Sequence, residues 1–173
     1  MNQLRSLLET LNLYPNIFIT MTQLILHLLG DYVTQSDWMA QNKTKSTYAA
    51  LLHATTYSIP FALIASLNAL LVIWITHFFI DRYRLARYVV YAKNILFQPG
   101  LIAAVWKWRD VEDRYAVYSH EVAQVNLKNR WKWTNCATTG YPSDSPAWMA
   151  VWLLIAADNT LHLAINYIAI SFL

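Results

Sequence analysis

The sequence is poor in the residues that soluble proteins use for charge, tight turns and cross-links. Only 13% of its 173 residues are Asp, Glu, Lys or Arg, whereas soluble domains have roughly 25%. It contains three glycines and a single cysteine, Cys136. One cysteine excludes an internal disulfide and a thiolate-ligated zinc cluster. A hydrophobic content of 57% excludes a disordered chain and makes a soluble enzyme an unlikely class.

The sequence also lacks the short motifs that identify common soluble enzymes. It has no glycine-rich phosphate loop, no Gly-x-Ser-x-Gly, no Cys-x-x-Cys and no His-Glu-x-x-His. Any catalytic chemistry must therefore be sought in residues that are distant from one another in the sequence.

Long uncharged stretches dominate what is present. Residues 46–80 contain no Asp, Glu, Lys or Arg, and residues 145–173 contain only Asp158. A membrane-crossing helix needs about 20 apolar residues. We therefore predict an all-α integral membrane four-helix bundle, with a turn between the second and third spans at residues 66–68. The predicted spans are about 14–36, 46–66, 69–88 and 147–170.

Two segments lie outside these spans. Residues 1–12 have the apolar spacing of an amphipathic helix. Residues 93–144 form a polar, basic, tryptophan-rich insert, which we expect to be helical and to lie at the membrane surface. Basic aromatic segments also bind nucleic acid, but the adjoining spans favour membrane lipids as the partner. Residues 100–140 could in addition contact a protein partner.

The positive charges are distributed asymmetrically. Four spans place 12 of the 13 Lys and Arg residues on the side of loop 37–45 and the insert, leaving only Arg5 opposite. By the positive-inside tendency, that side faces the cytoplasm. We therefore predict a protein of the bacterial inner membrane, with a cytoplasmic insert and both termini on the opposite side.

Ionisable residues within the predicted spans indicate a functional site, because placing charge in a bilayer is costly. Each of three aspartates in the spans has a histidine four residues away, on the same face of its helix. The alternating helix directions place the histidines deeper than the aspartates, in one polar pocket open toward the cytoplasm. The seven candidate residues are His27, Asp31, His53, His77, Asp81, Asp158 and His162.

Imidazole and carboxylate groups from several helices of a bundle are typical ligands of zinc, manganese or iron. We predict that these seven residues bind one or two such ions, and that Asp31 or Asp81 also serves as a bridging ligand or general base. Two other interpretations remain open. The residues could form a path for protons or ions, or they could be structural polar contacts between helices.

Five motifs resemble a small family of bacterial and phage membrane proteins, catalogued as domain-of-unknown-function family 3307. The resemblance covers about 14–88 and 141–166 and implies four helices, but it implies no activity. Asn159 departs from the glutamine expected there. A looser likeness to membrane-bound metal-dependent hydrolases is analogy only. The motifs are His27-Leu-Leu-Gly-Asp31-Tyr-Val-Thr-Gln35, Asp37-Trp38-Met39-Ala40 with Lys43, Leu52-His53-Ala54, His77-Phe-Phe-Ile-Asp81 and Asp158-Asn-Thr-Leu-His162.

The function predicted from these observations is metal-dependent hydrolysis of a lipid or lipid-linked ester or phosphoester. Lys43, Arg82 and Arg84 flank the predicted mouth, where an anionic headgroup would need cations. Cations at these positions are more often the ordinary positive flanks of membrane spans. The alternative is a non-enzymatic membrane protein, which either binds or moves an ion or proton, or takes part in a phage–host envelope interaction through the insert.

Overall fold

The computed structural model describes residues 15–97 and 131–173, and within these ranges it contains helices and no strands. The predicted all-α class is therefore confirmed for the described residues. The predicted N-terminal helix and residues 98–130 of the insert lie outside them. The α-helices are α1 (Pro15–Leu28), α2 (Asp37–Asn42), α3 (Thr47–Ser58), α4 (Leu67–Tyr83), α5 (Ala86–Leu96) and α6 (Ala147–Phe172).

Serine side chains set the beginnings of three of these helices. The hydroxyl groups of Ser36, Ser46 and Ser66 each accept a hydrogen bond from the backbone N–H three residues later, which satisfies one of the free donors of a first helical turn. Ser66 therefore caps α4, at the position where the sequence predicts a turn. Two helices continue without a break: α1 into the π-helical turn Leu29–Val33, and α3 into the 3₁₀ turn Ile59–Leu63.

The third predicted span, 69–88, is interrupted. Helix α4 ends at Tyr83, and Arg84 adopts a left-handed conformation with φ of 53°. The backbone N–H of Arg84 still bonds to Ile80 and Asp81 carbonyl oxygens, which closes the last turn. The chain then begins the separate helix α5.

Among the described helices, α6 alone is long and apolar enough to cross a membrane by length and composition, with 26 residues and a mean hydropathy of 1.4. The helices α1, α3 and α4 have 14, 12 and 17 residues. Each of these helices is shorter than the roughly 20 residues of a full span. A π-helical turn follows α1, a 3₁₀ turn follows α3, and the left-handed residue Arg84 ends α4. The structure therefore establishes a helical protein with one candidate span, and the four-span bundle remains a proposal.

The chain divides into two compact units. The first contains the described residues up to Arg84 together with Asn159–Leu173. Its apolar core is a single cluster around Tyr57, Phe61 and Ile73, all fully buried. The second unit is Leu85–Asp158, within which Val90, Tyr141 and Ala150 form the core.

Aromatic rings and cations lie together in the second unit. The Trp133 ring stacks on Tyr88, with centroids 5.3 Å apart, and meets Tyr91 edge-on. The Arg87 guanidinium lies 4.9 Å from the Tyr88 ring centre. Cys136 is buried, and burial raises the pKa of its thiol. The cysteine is therefore not an activated nucleophile.

Buried polar side chains distinguish the first unit. All four of its histidines are buried, although polar and ionisable residues ordinarily lie at a protein surface. The buried polar residues of this unit are Gln23, His27, Asp31, His53, Ser58, His77, Asp81, His162 and Asn166.

Large apolar side chains, in contrast, are exposed on the surface of the first unit. The most regular example is a stripe along α4 with one exposed apolar or aromatic residue at every fourth position. A spacing of four residues keeps side chains on one face of a helix. The stripe therefore runs the length of α4, opposite the face that is buried at His77. Its members are Leu67, Leu71, Ile75, Phe79 and Tyr83.

Candidate metal centre

Four helical elements bring the candidate ligands together. Asp31 lies in the π-helical turn after α1, and His53 lies in the middle of α3. His77 and Asp81 are one turn apart on the buried face of α4, and His162 is on α6. Each of these five side chains is buried.

Two groups of donor atoms could each hold an ion. The first group is Asp31, His53 and His77. The Nε2 atoms of His53 and His77 are 3.0 Å apart, and Asp31 Oδ1 lies 3.2 Å from the former and 3.6 Å from the latter.

The second group is His77, Asp81 and His162. Asp81 Oδ2 lies 3.1 Å from His77 Nε2, and Asp81 Oδ1 lies 3.6 Å from His162 Nε2. His53 Nε2 is also 3.1 Å from Asp81 Oδ2. The two groups are therefore continuous and share His77, so they form one centre.

These separations are those of atoms that surround a common ion. Metal–ligand bonds of about 2.0–2.1 Å place tetrahedral ligands about 3.3–3.4 Å apart and neighbouring octahedral ligands about 2.9 Å apart. The six donor pairs given above are 3.0–3.6 Å apart, and all donor atoms of each group lie within 4.8 Å of one another. The residues present therefore fit a zinc-sized ion without a large rearrangement.

Two carboxylate oxygens in the centre are deeply buried. Asp31 Oδ1 has no hydrogen bond of good geometry within the described residues, although His53 Nε2 lies 3.2 Å away. Asp81 Oδ2 has the Lys43 ammonium, 2.9 Å away, as its ion-pair partner. A buried carboxylate needs a compensating positive charge or hydrogen bonds. A coordinated cation would supply that charge to both aspartates.

Tyr57 orients the most central ligand. Its ring stacks on His77 with centroids 3.6 Å apart and an interplanar angle of 18°. The Nδ1 atoms of His53 and His77 form no hydrogen bond within the described part of the chain. Ring stacking against Tyr57, and not the usual hydrogen bond to the outer imidazole nitrogen, therefore fixes the orientation of His77.

His27 lies beside the centre and is a member of neither group. Its Nδ1 is 2.8 Å from the Tyr57 hydroxyl and 3.5 Å from Asp31 Oδ2, and its Nε2 is 3.3 Å from Asn159 Oδ1. Asn166 Nδ2 donates to the same Tyr57 hydroxyl over 2.7 Å. With this donor fixed, the Tyr57 hydroxyl can donate its proton to His27 Nδ1. His27 Nδ1 then has no proton to donate to Asp31, so His27 is a hydrogen-bond partner of Tyr57 and Asn159 beside the centre.

Asp158 is the other predicted ligand outside both groups. It is half-buried and belongs to the second unit, one helical turn before His162. Asp158 has interactions of its own and is therefore not an unpaired residue. Of the seven predicted residues, the structure brings together five: Asp31, His53, His77, Asp81 and His162.

The three predicted headgroup cations have different surroundings. Lys43 Nζ lies 2.9 Å from Asp81 Oδ2 and 3.3 Å from His53 Nε2, with 18% of its side chain exposed. Arg82 donates to the Thr44 carbonyl oxygen over 2.8 Å, which connects the end of α4 to the loop before α3. Arg84 is half-buried and supplies the C-cap of α4. Lys43 is thus the cation that reaches the donor atoms.

Sequence reasoning did not identify Tyr57 as part of the site. The available signal was its position four residues after His53, on the same face of α3. Lys43 was predicted to bind a headgroup, and its contact with the ligands themselves was not anticipated. Its side chain reaches the centre from the loop after α2, and loop conformation has no periodicity to read.

A family model described as "Protein of unknown function (DUF3307)" matches residues 19–105 of the chain. The matched range includes residues 19–28 of α1 and all of α3 and α4, with four of the five grouped ligands, and it ends before α6, which carries His162. No curated protein and no solved structure matches the chain. A match over half of the chain identifies the family, and the protein therefore belongs to the DUF3307 family of unknown function.

Proposed function

We propose that this protein is a membrane-embedded, metal-dependent hydrolase of a lipid or lipid-linked ester or phosphoester. The observation that carries the proposal is the convergence of buried imidazole and carboxylate donors from four helical elements, at separations suited to one ion. We assign the ion to zinc, manganese or iron, because mixed nitrogen and oxygen ligands suit these metals.

The distribution of polarity supports a membrane location. The first unit has ionisable residues inside and an apolar stripe on α4 outside, the reverse of a soluble protein. Contiguous apolar surface of this kind is expected to face lipid or another protein. Helix α6 adds a segment of spanning length. We propose the bacterial inner membrane, with residues 37–45, which contain α2, on the cytoplasmic side.

His77, which belongs to both donor groups, favours one bound ion over two. His77 Nε2 belongs to both donor groups, and one nitrogen lone pair coordinates one ion. A single ion with donors from both groups is therefore the simplest occupancy. A second ion would have to use the remaining carboxylate oxygens of Asp31 and Asp81.

The chain's own residues suit ester or phosphoester cleavage. A bound ion supplies a hydroxide-like nucleophile from coordinated water and polarises the scissile group. Asp31 and Asp81 each have two oxygens, so an oxygen that is not coordinated can accept the proton of that water. Lys43, Arg82 and Arg84 lie toward one end of α4, where they could hold an anionic headgroup.

The test is a hydrolysis assay in nanodiscs with protein loaded with zinc, manganese or iron. We expect release of product from at least one class among phospholipids, lipid phosphates and lipid esters. We expect His77→Ala and Asp81→Asn to lower the rate by about 100-fold or more, because each removes a ligand. Asp37→Asn changes an exposed carboxylate and should leave the rate unchanged. Absence of turnover from every class with metal-loaded protein would exclude the hydrolase.

One observation favours ion or proton movement as a second candidate function. Buried polar groups continue beyond the ligands, through the hydrogen-bonded hydroxyl of Tyr57 to Asn166, and Gln23 is also buried. A column of polar groups through helices is typical of ion pathways. The discriminating measurement is flux in proteoliposomes, where transport that requires a proton or metal gradient and is lost in Tyr57→Phe would support this candidate.

A further inference from the structure

We propose that Lys43 is a tethered cation that competes with the metal for the centre, so that metal binding and release of the Lys43 ammonium are one coupled event. This inference rests on the proposed metal site and concerns its regulation. The observation behind it is the contact of Lys43 with two of the same atoms that an ion would use.

The lone pairs are the first reason why the two cations exclude each other. Lys43 Nζ is 3.3 Å from His53 Nε2, where the imidazole nitrogen can only be the acceptor, because an ammonium has no lone pair. A coordinated nitrogen has donated that same lone pair to the metal. His53 Nε2 therefore serves either the lysine or the ion.

Charge is the second reason. Lys43 Nζ is 2.9 Å from Asp81 Oδ2, and a metal coordinated by that oxygen would lie only about 2 Å beyond it. Like charges so close in a poorly hydrated site repel strongly. The ammonium must withdraw when a divalent ion enters, and its partial exposure of 18% gives it a route to solvent, unlike the fully buried histidines.

The released ammonium acquires a function in the metal-bound state. Lys43 reaches the centre from the loop before α3, and Arg82 bonds to the neighbouring Thr44 carbonyl oxygen. We expect the withdrawn ammonium to stay on the same side of the centre as the Arg82 guanidinium, and two cations there are suited to a phosphate or carboxylate group of a substrate. The Lys43 ammonium would thus become available to an anionic substrate only when the metal is bound.

The test is a titration of zinc into detergent-purified, chelator-treated protein, with wild type, Lys43→Met, Lys43→Arg and the control Lys45→Met. Lys45 is exposed two residues away, so its substitution makes the same change in charge outside the centre. We expect Lys43→Met to bind zinc at least about tenfold more tightly than wild type, because no internal cation must be displaced. Lys43→Arg should bind no more tightly than wild type, and Lys45→Met should be unchanged.

A second readout is the rate at which the Lys43 amine is acetylated, measured by mass spectrometry with and without zinc. We expect zinc to raise the rate at Lys43 by about tenfold and to leave the rate at Lys45 unchanged. If wild type binds zinc but Lys43→Met binds it equally or less tightly, or if zinc leaves the reactivity of Lys43 unchanged, the competition is wrong while the metal site stands. If neither wild type nor folded Lys43→Met binds zinc, manganese or iron, the proposed metal site itself is wrong.

Discussion

The Tyr57 hydroxyl is the residue-scale link between the centre and its surroundings. It contacts His27 at 2.8 Å and Asn166 at 2.7 Å, and all three side chains are buried. Tyr57→Phe leaves both partners without this contact, and we expect it to lower the free energy of unfolding by about 1–3 kcal/mol. Thermal unfolding in detergent measures the loss. The exposed Tyr48 provides the control Tyr48→Phe, for which we expect a change within about 0.5 kcal/mol.

The same variant separates stability from coordination. Tyr57→Phe keeps the ring that stacks on His77 and removes no donor atom. Its metal content should therefore match that of wild type. A complete loss of metal in folded Tyr57→Phe would mean that the hydroxyl itself is a ligand, contrary to the account given above.

Gly30 is the second residue-scale constraint, because the Tyr57 ring occupies the space beside it. A Cβ atom at this position would lie 2.5 Å from Tyr57 Cδ2, so the ring would have to move. We expect Gly30→Ala to destabilise the protein by about 1–3 kcal/mol, the usual cost of overpacking a core. Chemical or thermal unfolding measures it. The double variant Gly30→Ala with Tyr57→Leu should recover part of the loss, and simple additivity of the two losses would contradict the assigned clash.

At the scale of elements, the apolar stripe of α4 makes the membrane proposal testable. In a protein with Cys136→Ser, we compare Ile75→Cys on the stripe with Lys45→Cys in the exposed loop. Maleimides react with thiolates, which form in water and not in hydrocarbon. In native membranes we expect Ile75→Cys to react at least about tenfold more slowly than Lys45→Cys with a water-soluble maleimide. Similar rates at the two positions would place the stripe in water and contradict the proposal.

Helical periodicity explains which parts of the centre could be predicted. The pair His77 and Asp81 lies on one buried face, as expected for residues four apart, and the same is true of His53 and Tyr57. Periodicity does not determine which helices pack together or how deeply. It therefore indicated the five residues that the structure brings together, but it could not separate them from His27 and Asp158, which belong to neither donor group.

Local conformations that depend on backbone contacts were also beyond prediction. The sequence gives no sign that Arg84 is left-handed, so a continuous span to residue 88 was predicted. The π-helical turn that carries Asp31 is likewise invisible in a pattern of apolar residues. Lys43 enters the centre from a loop, where position depends on the hydrogen bonds of neighbours such as Arg82 and Thr44.

At the scale of the whole molecule, the first unit has two chemically different ends. Ser66 donates to the Leu173 carbonyl oxygen over 3.0 Å, so the turn before α4 and the C-terminus lie at one end. Lys43 and Arg82 lie at the other end of α4. With the basic end cytoplasmic, we expect Lys45→Cys to react in inverted inner-membrane vesicles and Leu173→Cys to react in right-side-out spheroplasts. The reverse pattern would contradict the proposed orientation.

The central claim is that the buried His and Asp side chains bind a metal. The most direct measurement is the metal content of detergent-purified protein by elemental mass spectrometry, for wild type, His77→Ala, Asp158→Asn and the exposed control Asp37→Asn. The account predicts about one equivalent of zinc, manganese or iron in wild type, its loss in His77→Ala, and its retention in the two aspartate variants. Folded wild type without metal, or His77→Ala with wild-type metal content, would contradict it.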